Sequence, residues 1–173
     1  GYRYETVETT GVTVANTTQF LFNGNRTTSR VTPTYIYDSR ENFLNPSQGW
    51  RHMLGFELAG LGGLKFTRSR YDITHYYPLV GKLVGAGHVR VNFAEGYDGD
   101  TLPVFERYFM GGPTTLRGFT IQDIGPKDLT GNPVGGSKAL LLNLELQYPF
   151  TKSNPSKRLI LNWMLKVLLT ILN

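Results

Sequence analysis

The chain contains no cysteine. That excludes a disulfide framework, a thiolate nucleophile and a thiolate metal site. Histidine is scarce. His52, His75 and His88 show no His-x-His or His-Glu spacing, so they are expected as satisfied or interface residues and not as a metal site. No run of about 18 apolar residues occurs, so no helix is long and apolar enough to span a bilayer. The nearest stretch, Leu159 to Leu172, is shorter and is broken by Asn162, Lys166 and Thr170. The opening GYRYETVETT lacks a basic start followed by an apolar run, so an exported protein is expected here in mature or partial form. Charge of one sign is in small excess, +5 over 173 residues, and the basic residues never form a block. A solvated or pore-lining surface fits this better than a nucleic-acid partner.

Catalytic and cofactor signatures are also missing. Gly111 to Gly118 lacks the Gly-Lys-Ser/Thr ending of a phosphate loop. Gly85-Ala86-Gly87 has no third glycine and no helix pattern after it. Ser137-Lys138 has no recognisable base and orienting group. Neither an enzyme nor a bound cofactor is expected. Asn16 and Asn25 sit in Asn-x-Thr sequons.

Abundant instead are glycine, at 20 residues, and tyrosine and phenylalanine, at 10 each. Such a composition favours strands and turns over helices. Turn-forming clusters fall at Asn23-Gly24-Asn25, Asn42 to Gly49, Gly60 to Gly63, Pro78 to Gly81 and Gly96 to Asp100. Between them, strand-length pieces alternate with period two. Trp50, Leu54, Phe56 and Leu58 share one face, interrupted by His52, while Arg51, Met53, Gly55, Glu57 and Ala59 share the other. Tyr71, Ile73 and Tyr77 oppose Arg68, Arg70 and Asp72. Leu83, Val89, Val91 and Phe93 oppose His88, Arg90 and Asn92. Leu140, Leu142, Leu144, Leu146 and Tyr148 oppose Asn143, Glu145 and Gln147. Thr32 to Asp38 reads as a further strand, with Pro33 marking an irregular or rim position. Residues 103 to 136 are glycine- and proline-rich with little alternation and read as one long functional loop. Residues 158 to 173 fit either a strand or a helix stripe. A strand is expected, because hairpin spacing from the preceding strand is natural.

One apolar and one charged face describe a transmembrane barrel, but also a soluble barrel or sandwich. Two features favour the membrane: mixed charges on the polar faces, as in a wet lumen, and aromatics at strand ends (Trp50, Tyr76, Tyr77, Phe93, Tyr148, Phe150), as in interface girdles.

The segment FERYFMGGPTTLRGF, Phe105 to Phe119, is followed by TIQDIGPKD and by GNPVGGSKALLLNLELQYPF. Its ordered features are Gly111-Gly112, Arg117-Gly118-Phe119, Ile124-Gly125-Pro126, Gly135-Gly136 and Glu145. Upstream lie Tyr37-Asp38-Ser39-Arg40, Asn45-Pro46 and Gly49. Over roughly residues 30 to 150 this set closely resembles the BamA family of outer-membrane assembly factors, in the C-terminal part of the barrel. The resemblance implies an all-β, antiparallel transmembrane β-barrel portion in which residues 103 to 136 fold back into the lumen. At about ten residues per strand, the chain holds roughly six to eight strands. That makes residues 1 to 173 one partial barrel domain, without a visible copy of the POTRA repeats that precede the family's barrels. The family's closing strand is not visible either, and residues 158 to 173 contain no acid. The resemblance further implies that Arg117 reaches an inward Glu145, with Phe119 beside it, anchoring the loop tip to the wall through a bidentate pair. From the residues alone, Arg117 reads rather as an exposed loop arginine and Glu145 as an ordinary lumen charge; the resemblance tips the balance to the anchor.

Three functions follow as alternatives. The first is an insertase that templates nascent strands at its edge, with outer-membrane lipid, unfolded outer-membrane protein clients and accessory lipoproteins as partners. The second is a translocation pore of the two-partner-secretion type. The third is an outer-membrane or soluble β-structure without a transport role. The Ile124-Gly125-Pro126 and Gly135-Gly136 context favours the first, in the bacterial outer membrane.

Overall fold

The computed structural model describes residues 1–9, 24–60, 63–112, 115–116, 118–149 and 158–163. Eight strands lie in this part of the chain: β1 (Tyr2–Thr9), β2 (Gly24–Val31), β3 (Thr34–Asp38), β4 (Gly49–Ala59), β5 (Phe66–Pro78), β6 (Val84–Gly96), β7 (Lys138–Pro149) and β8 (Arg158–Trp163). They form one antiparallel sheet in the order β1-β2-β4-β5-β6-β7-β8, with β3 also paired to β4. Apart from β2 and β3, which share β4 as their partner, sequential strands are neighbours, the meander expected of a barrel wall.

β2 and β3 occupy one position in this wall. Arg30 and Val31 pair with Ala59 and Leu58 of β4, and Thr34 to Asp38 pair with Gly55 to Arg51. The interruption falls at Thr32-Pro33. Pro33 has no N–H to give to the ladder, but its carbonyl accepts the Phe56 N–H at 3.1 Å. This is the irregular position expected from the proline.

The register fixes the faces. Gly55, Glu57 and Ala59 stand opposite Arg70, Arg68 and Phe66. These stand opposite Asn92, Ala94 and Gly96. Further along, His88 and Ala86 pair with Asn143 and Glu145. All of these share the inner face. Trp50, Leu54, Phe56, Leu58, Tyr71, Tyr77, Phe93, Leu144 and Tyr148 lie on the other face and are exposed. Strand residues alternate between faces, so a lipid-facing surface and a lumen follow from one register. Tyr76 corrects one expectation. It pairs with Gly49 and Ala86 and lines an inner pocket with Asp72 and His88, so it is not part of the outer aromatic girdle. The outer rim carries instead a stack in which Trp50 lies 3.7 Å from His75 and 5.5 Å from His52, ring centre to ring centre.

Two apolar clusters sit on the inner face. Ala59, Leu64, Phe66, Ala94 and Leu102 form one. Met110, Leu116, Ala139 and Leu141 form the other, with Tyr108 touching both. Leu102, Met110 and Leu116 come from the segment between β6 and β7, so that segment lies against the inside of the wall. At the same rim the Tyr97 hydroxyl donates to the Ala59 carbonyl at 2.7 Å. A Cβ at Gly60 would lie 2.1 Å from that hydroxyl oxygen.

For β8 the register runs from Leu144↔Trp163 to Pro149↔Arg158. The strand reading of the chain's end therefore holds for residues 158–163. Residues 164–173 and Phe150 lie outside the described residues.

Candidate functional site

The inserted segment begins with a short 3₁₀ turn, Val104–Glu106, after Pro103. This turn aims Glu106 at the wall. Its carboxylate accepts from Arg30 of β2, with Nη2 at 2.8 Å and Nη1 at 3.4 Å, and from Arg68 Nη1 of β5 at 3.1 Å. Arg30 Nη1 also donates to Glu57 of β4 at 2.9 Å. Two guanidinium groups thus meet two carboxylates, and Glu106 is only 5% exposed. A carboxylate so shielded from water requires paired, hydrogen-bonded cations, and the planar forks of arginine supply them. The Arg68 guanidinium lies 4.9 Å over the Tyr108 ring, which extends the contact into the segment.

Beyond Glu106 the segment folds on itself. Tyr108 and Gly136 exchange both backbone hydrogen bonds at 2.9 Å. Met110 bridges Ile124, and the Ile124 N–H reaches the Met110 carbonyl at 3.0 Å. Gly111 has φ +115, and a Cβ there would lie 2.2 Å from the Thr120 carbonyl oxygen. Only glycine tolerates both conditions. Gly112 is buried, and its N–H donates to the Phe119 carbonyl at 3.1 Å. Gly118 and Phe119 are exposed. The Pro126 carbonyl accepts the Val134 N–H at 2.9 Å, one residue after Gly125. At Gly135 a Cβ would crowd Arg107 and Phe109. Of the glycines singled out in the sequence, Gly111, Gly112 and Gly135 are closely packed in this segment, whereas a Cβ at Gly118 or Gly125 would meet open space.

Arg117 lies outside the described residues, so its distance from Glu145 is not part of this geometry. Glu145 lies on the inner-face register and accepts from Gln147 Nε2 at 3.1 Å. The sequence reading missed Glu106, although it stands inside the FERYF segment. A signal was present: it is the only acid between Asp100 and Asp123. A second polar cluster went unremarked as a unit. Asp72, 3% exposed, accepts from His88 Nε2 at 2.9 Å, Arg90 Nε at 2.6 Å and Arg70 Nη2 at 3.1 Å. Between the clusters lies a cavity of about 400 Å³, bordered by Glu57, Arg68, Arg70, Arg90, Asn92 and Tyr108. The arrangement can hold a glycine-rich insert against a polar wall.

At the opposite rim, β3 closes on β4 through the Tyr37-Asp38-Ser39-Arg40 turn. Arg40 makes a two-pronged contact with Asp38, Nε at 2.8 Å and Nη2 at 2.6 Å. Gly49 has φ +107, with Ser39 O 2.5 Å from where its Cβ would be. This is the strand–turn–strand expected there.

Comparison with known proteins agrees with this architecture. The Omp85 superfamily domain matches residues 1–163. A SAM50-like protein of Schizosaccharomyces pombe is 28% identical over 130 residues, 72% of this chain and 27% of its own length. Outer membrane protein assembly factor BamA of Nitratidesulfovibrio vulgaris is 40% identical over 57 residues, 32% of this chain and 7% of its own. The sorting and assembly machinery component 50 homolog of Mus musculus is 26% identical over 128 residues, 73% of this chain and 27% of its own. The crystal structure of BamA from Haemophilus ducreyi lacking POTRA domains 1–3 superposes with a TM-score of 0.70 at 21% identity, covering 84% of this chain and 31% of that one. The chain thus spans about a quarter of the length of the SAM50 relatives. This chain, an antiparallel wall with an apolar outer face, a polar inner face and a glycine-rich insert, matched by the family's domain over residues 1–163 and folded like part of the BamA barrel, belongs to the Omp85 superfamily.

Proposed function

We propose that this chain is the wall and inserted loop of a protein that folds other β-barrel proteins and inserts them into the outer membrane. The observation that carries the reading is the seating of a glycine-rich insert on the inner wall through buried Glu106. The relatives support it by name, as an outer membrane protein assembly factor and as sorting and assembly machinery components.

In this reading residues 1–173 form one part of a barrel domain, with 103–136 as its insert. Arg117, Gly118, Phe119 and Glu145 anchor the tip. Gly111, Gly112, Ile124, Gly125, Pro126, Gly135 and Gly136 shape it. The partners are outer-membrane lipid, unfolded barrel clients and accessory lipoproteins. The chain works by templating and not by covalent catalysis.

The compartment is the bacterial outer membrane, a reading supported by the 40% identity to a bacterial assembly factor. The longer match to fungal and mouse proteins favours a second compartment, the outer membrane of a eukaryotic organelle. Fractionation of cells expressing the natural full-length protein separates these two.

The test of function is reconstitution. Full-length protein in lipid vesicles should speed the folding of an unfolded barrel client, read by its shift in gel mobility. Steady ion conductance without any acceleration of client folding would overturn the proposal in favour of a secretion pore.

A further inference from the structure

β2 pairs with β4 at Arg30↔Ala59 and Val31↔Leu58 alone, because β4 ends at Ala59. Above that level β2 is held by the turn between β4 and β5. The Gly60 N–H reaches the Ser29 carbonyl at 3.2 Å, and the Leu64 N–H reaches the Thr27 carbonyl at 3.2 Å. The approach is close: a Cβ at Gly63 would lie 1.8 Å from Thr27 O. β1 hangs on β2 alone among the described strands, pairing from Tyr2↔Val31 to Thr9↔Gly24. Among the described residues β2 therefore meets β4, Gly60 and Leu64 over residues 27–31, just before β3 takes over the pairing, and Arg30 stands within that stretch. Arg30 is also where Glu106 of the insert makes its bidentate contact.

We propose that Glu106 is a positioning residue that couples the seating of the insert to the attachment of the β1–β2 pair. The insert does more than fill the lumen. Its carboxylate bridges Arg30 and Arg68, while Arg30 also holds Glu57, and so fixes the level at which β2 lies against β4 and the 60–64 turn. When the insert withdraws, Arg30 loses Glu106 and keeps Glu57, and β2 loosens from the turn while the β4–β7 ladder stays intact. The inference rests on the assembly reading, because it gives the insert a moving role in that activity. It assigns that role to an acid at the root of the insert, away from the Arg117 tip.

The experiment is hydrogen exchange with mass spectrometry on the full-length protein in lipid vesicles, without client. Glu106→Gln keeps the side chain's shape and removes its charge. Exchange in peptides covering 24–31 and 60–65 should rise about tenfold or more, while peptides covering 66–78 and 84–96 stay within twofold of the parent. Arg30→Gln should give the same pattern. The double variant should exceed neither single, since both act through one contact. Arg68→Gln, which spares Arg30, should have the smaller effect, and it still reads the contact if Glu106→Gln does not fold. Unchanged exchange at 60–65, additive single effects, or an equal rise across 66–96 would each overturn the coupling. No client enters the measurement, so its failure is distinguishable from failure of the assembly reading, which vesicle reconstitution tests separately.

Discussion

The carboxylate of Asp72 receives the Nε–H of Arg90 at 2.6 Å, and the two residues stand directly opposite each other on β5 and β6. His88 and Arg70 complete the group. One buried acid thus organises three basic side chains on the inner face. Asp72→Asn keeps the shape but leaves those bases without their counter-charge. Removing one member of a shielded ion pair costs about 3 kcal/mol. Urea unfolding of the full-length protein in vesicles should show that loss, and a midpoint equal to the parent's would contradict it.

The tip anchor is tested by exchanging charges. Arg117→Glu and Glu145→Arg should each lower client folding and loosen the insert to protease, because like charges then face each other. The double exchange should recover part of both. Recovery stays incomplete, since the fork of arginine and a carboxylate are not interchangeable in shape. A double variant no better than the worse single, with unchanged protease sensitivity throughout, would remove the direct pair.

Facing is tested on β7. Cysteines at Asn143, Glu145 and Gln147 should react with a water-soluble maleimide, and those at Leu140, Leu142, Leu144 and Leu146 should not. A register slip of one residue would reverse the two sets. Equal labelling of both would defeat the assignment.

Among the glycines, Gly111→Ala should unseat the insert. It combines positive φ with a carbonyl oxygen at 2.2 Å, whereas Gly131 has positive φ but open space around it. Gly131→Ala carries only the backbone penalty of about 1 kcal/mol. Limited proteolysis should therefore cut the Gly111 variant faster than the Gly131 variant. Equal cutting would show that the close approach to Thr120 is unimportant.

Acid should loosen the small hairpin at residues 127–133. Asp128 accepts from the Thr130 hydroxyl and from the Asn132 and Thr130 N–H groups, which hold its carboxyl below the usual range. A depressed folded value means that its contribution is full above about pH 4, the ordinary carboxylate value. The contribution is lost as pH falls through the lower folded value. Amide exchange at Thr130 and Asn132, corrected for intrinsic rates, should accelerate over that interval, and Asp128→Asn should abolish the dependence. A variant that keeps the same acid response would assign it elsewhere.

Much of the wall was legible because lipid and lumen impose opposite chemistry on alternate residues. β4 to β7 show it plainly, as in Leu54/Phe56/Leu58 against Gly55/Glu57. β1 and β2 were not legible. Their sequences, YRYETVET and GNRTTSRV, are polar at both parities, and Gly24-Asn25, which reads as a turn, lies inside β2. Pairing to neighbours made those strands, and no local pattern announces it. Tyr76 was misplaced because aromatic content at a strand end does not fix parity; it shares the parity of Arg68, Arg70 and Asp72, and its pairs with Gly49 and Ala86 put it on the inner face. Glu106 escaped notice for a different reason. Its partners, Arg30 and Arg68, are far away in sequence, and a lone acid in a glycine-rich stretch looks solvated until the insert is seen folded inward.

The contact between Gly60 and Tyr97 has a bearing on how such sequences drift. A side chain at position 60 cannot coexist with the Tyr97 hydroxyl where it now lies, and that hydroxyl holds the Ala59 carbonyl at the rim. The two positions are coupled. A lineage that loses the glycine must move the tyrosine's hydroxyl off the Ala59 carbonyl, and one that keeps the hydroxyl there is left with glycine opposite it. Their joint substitution pattern should therefore be steeper than that of either position with its neighbours in the chain, a trace of three-dimensional contact left in the record of descent.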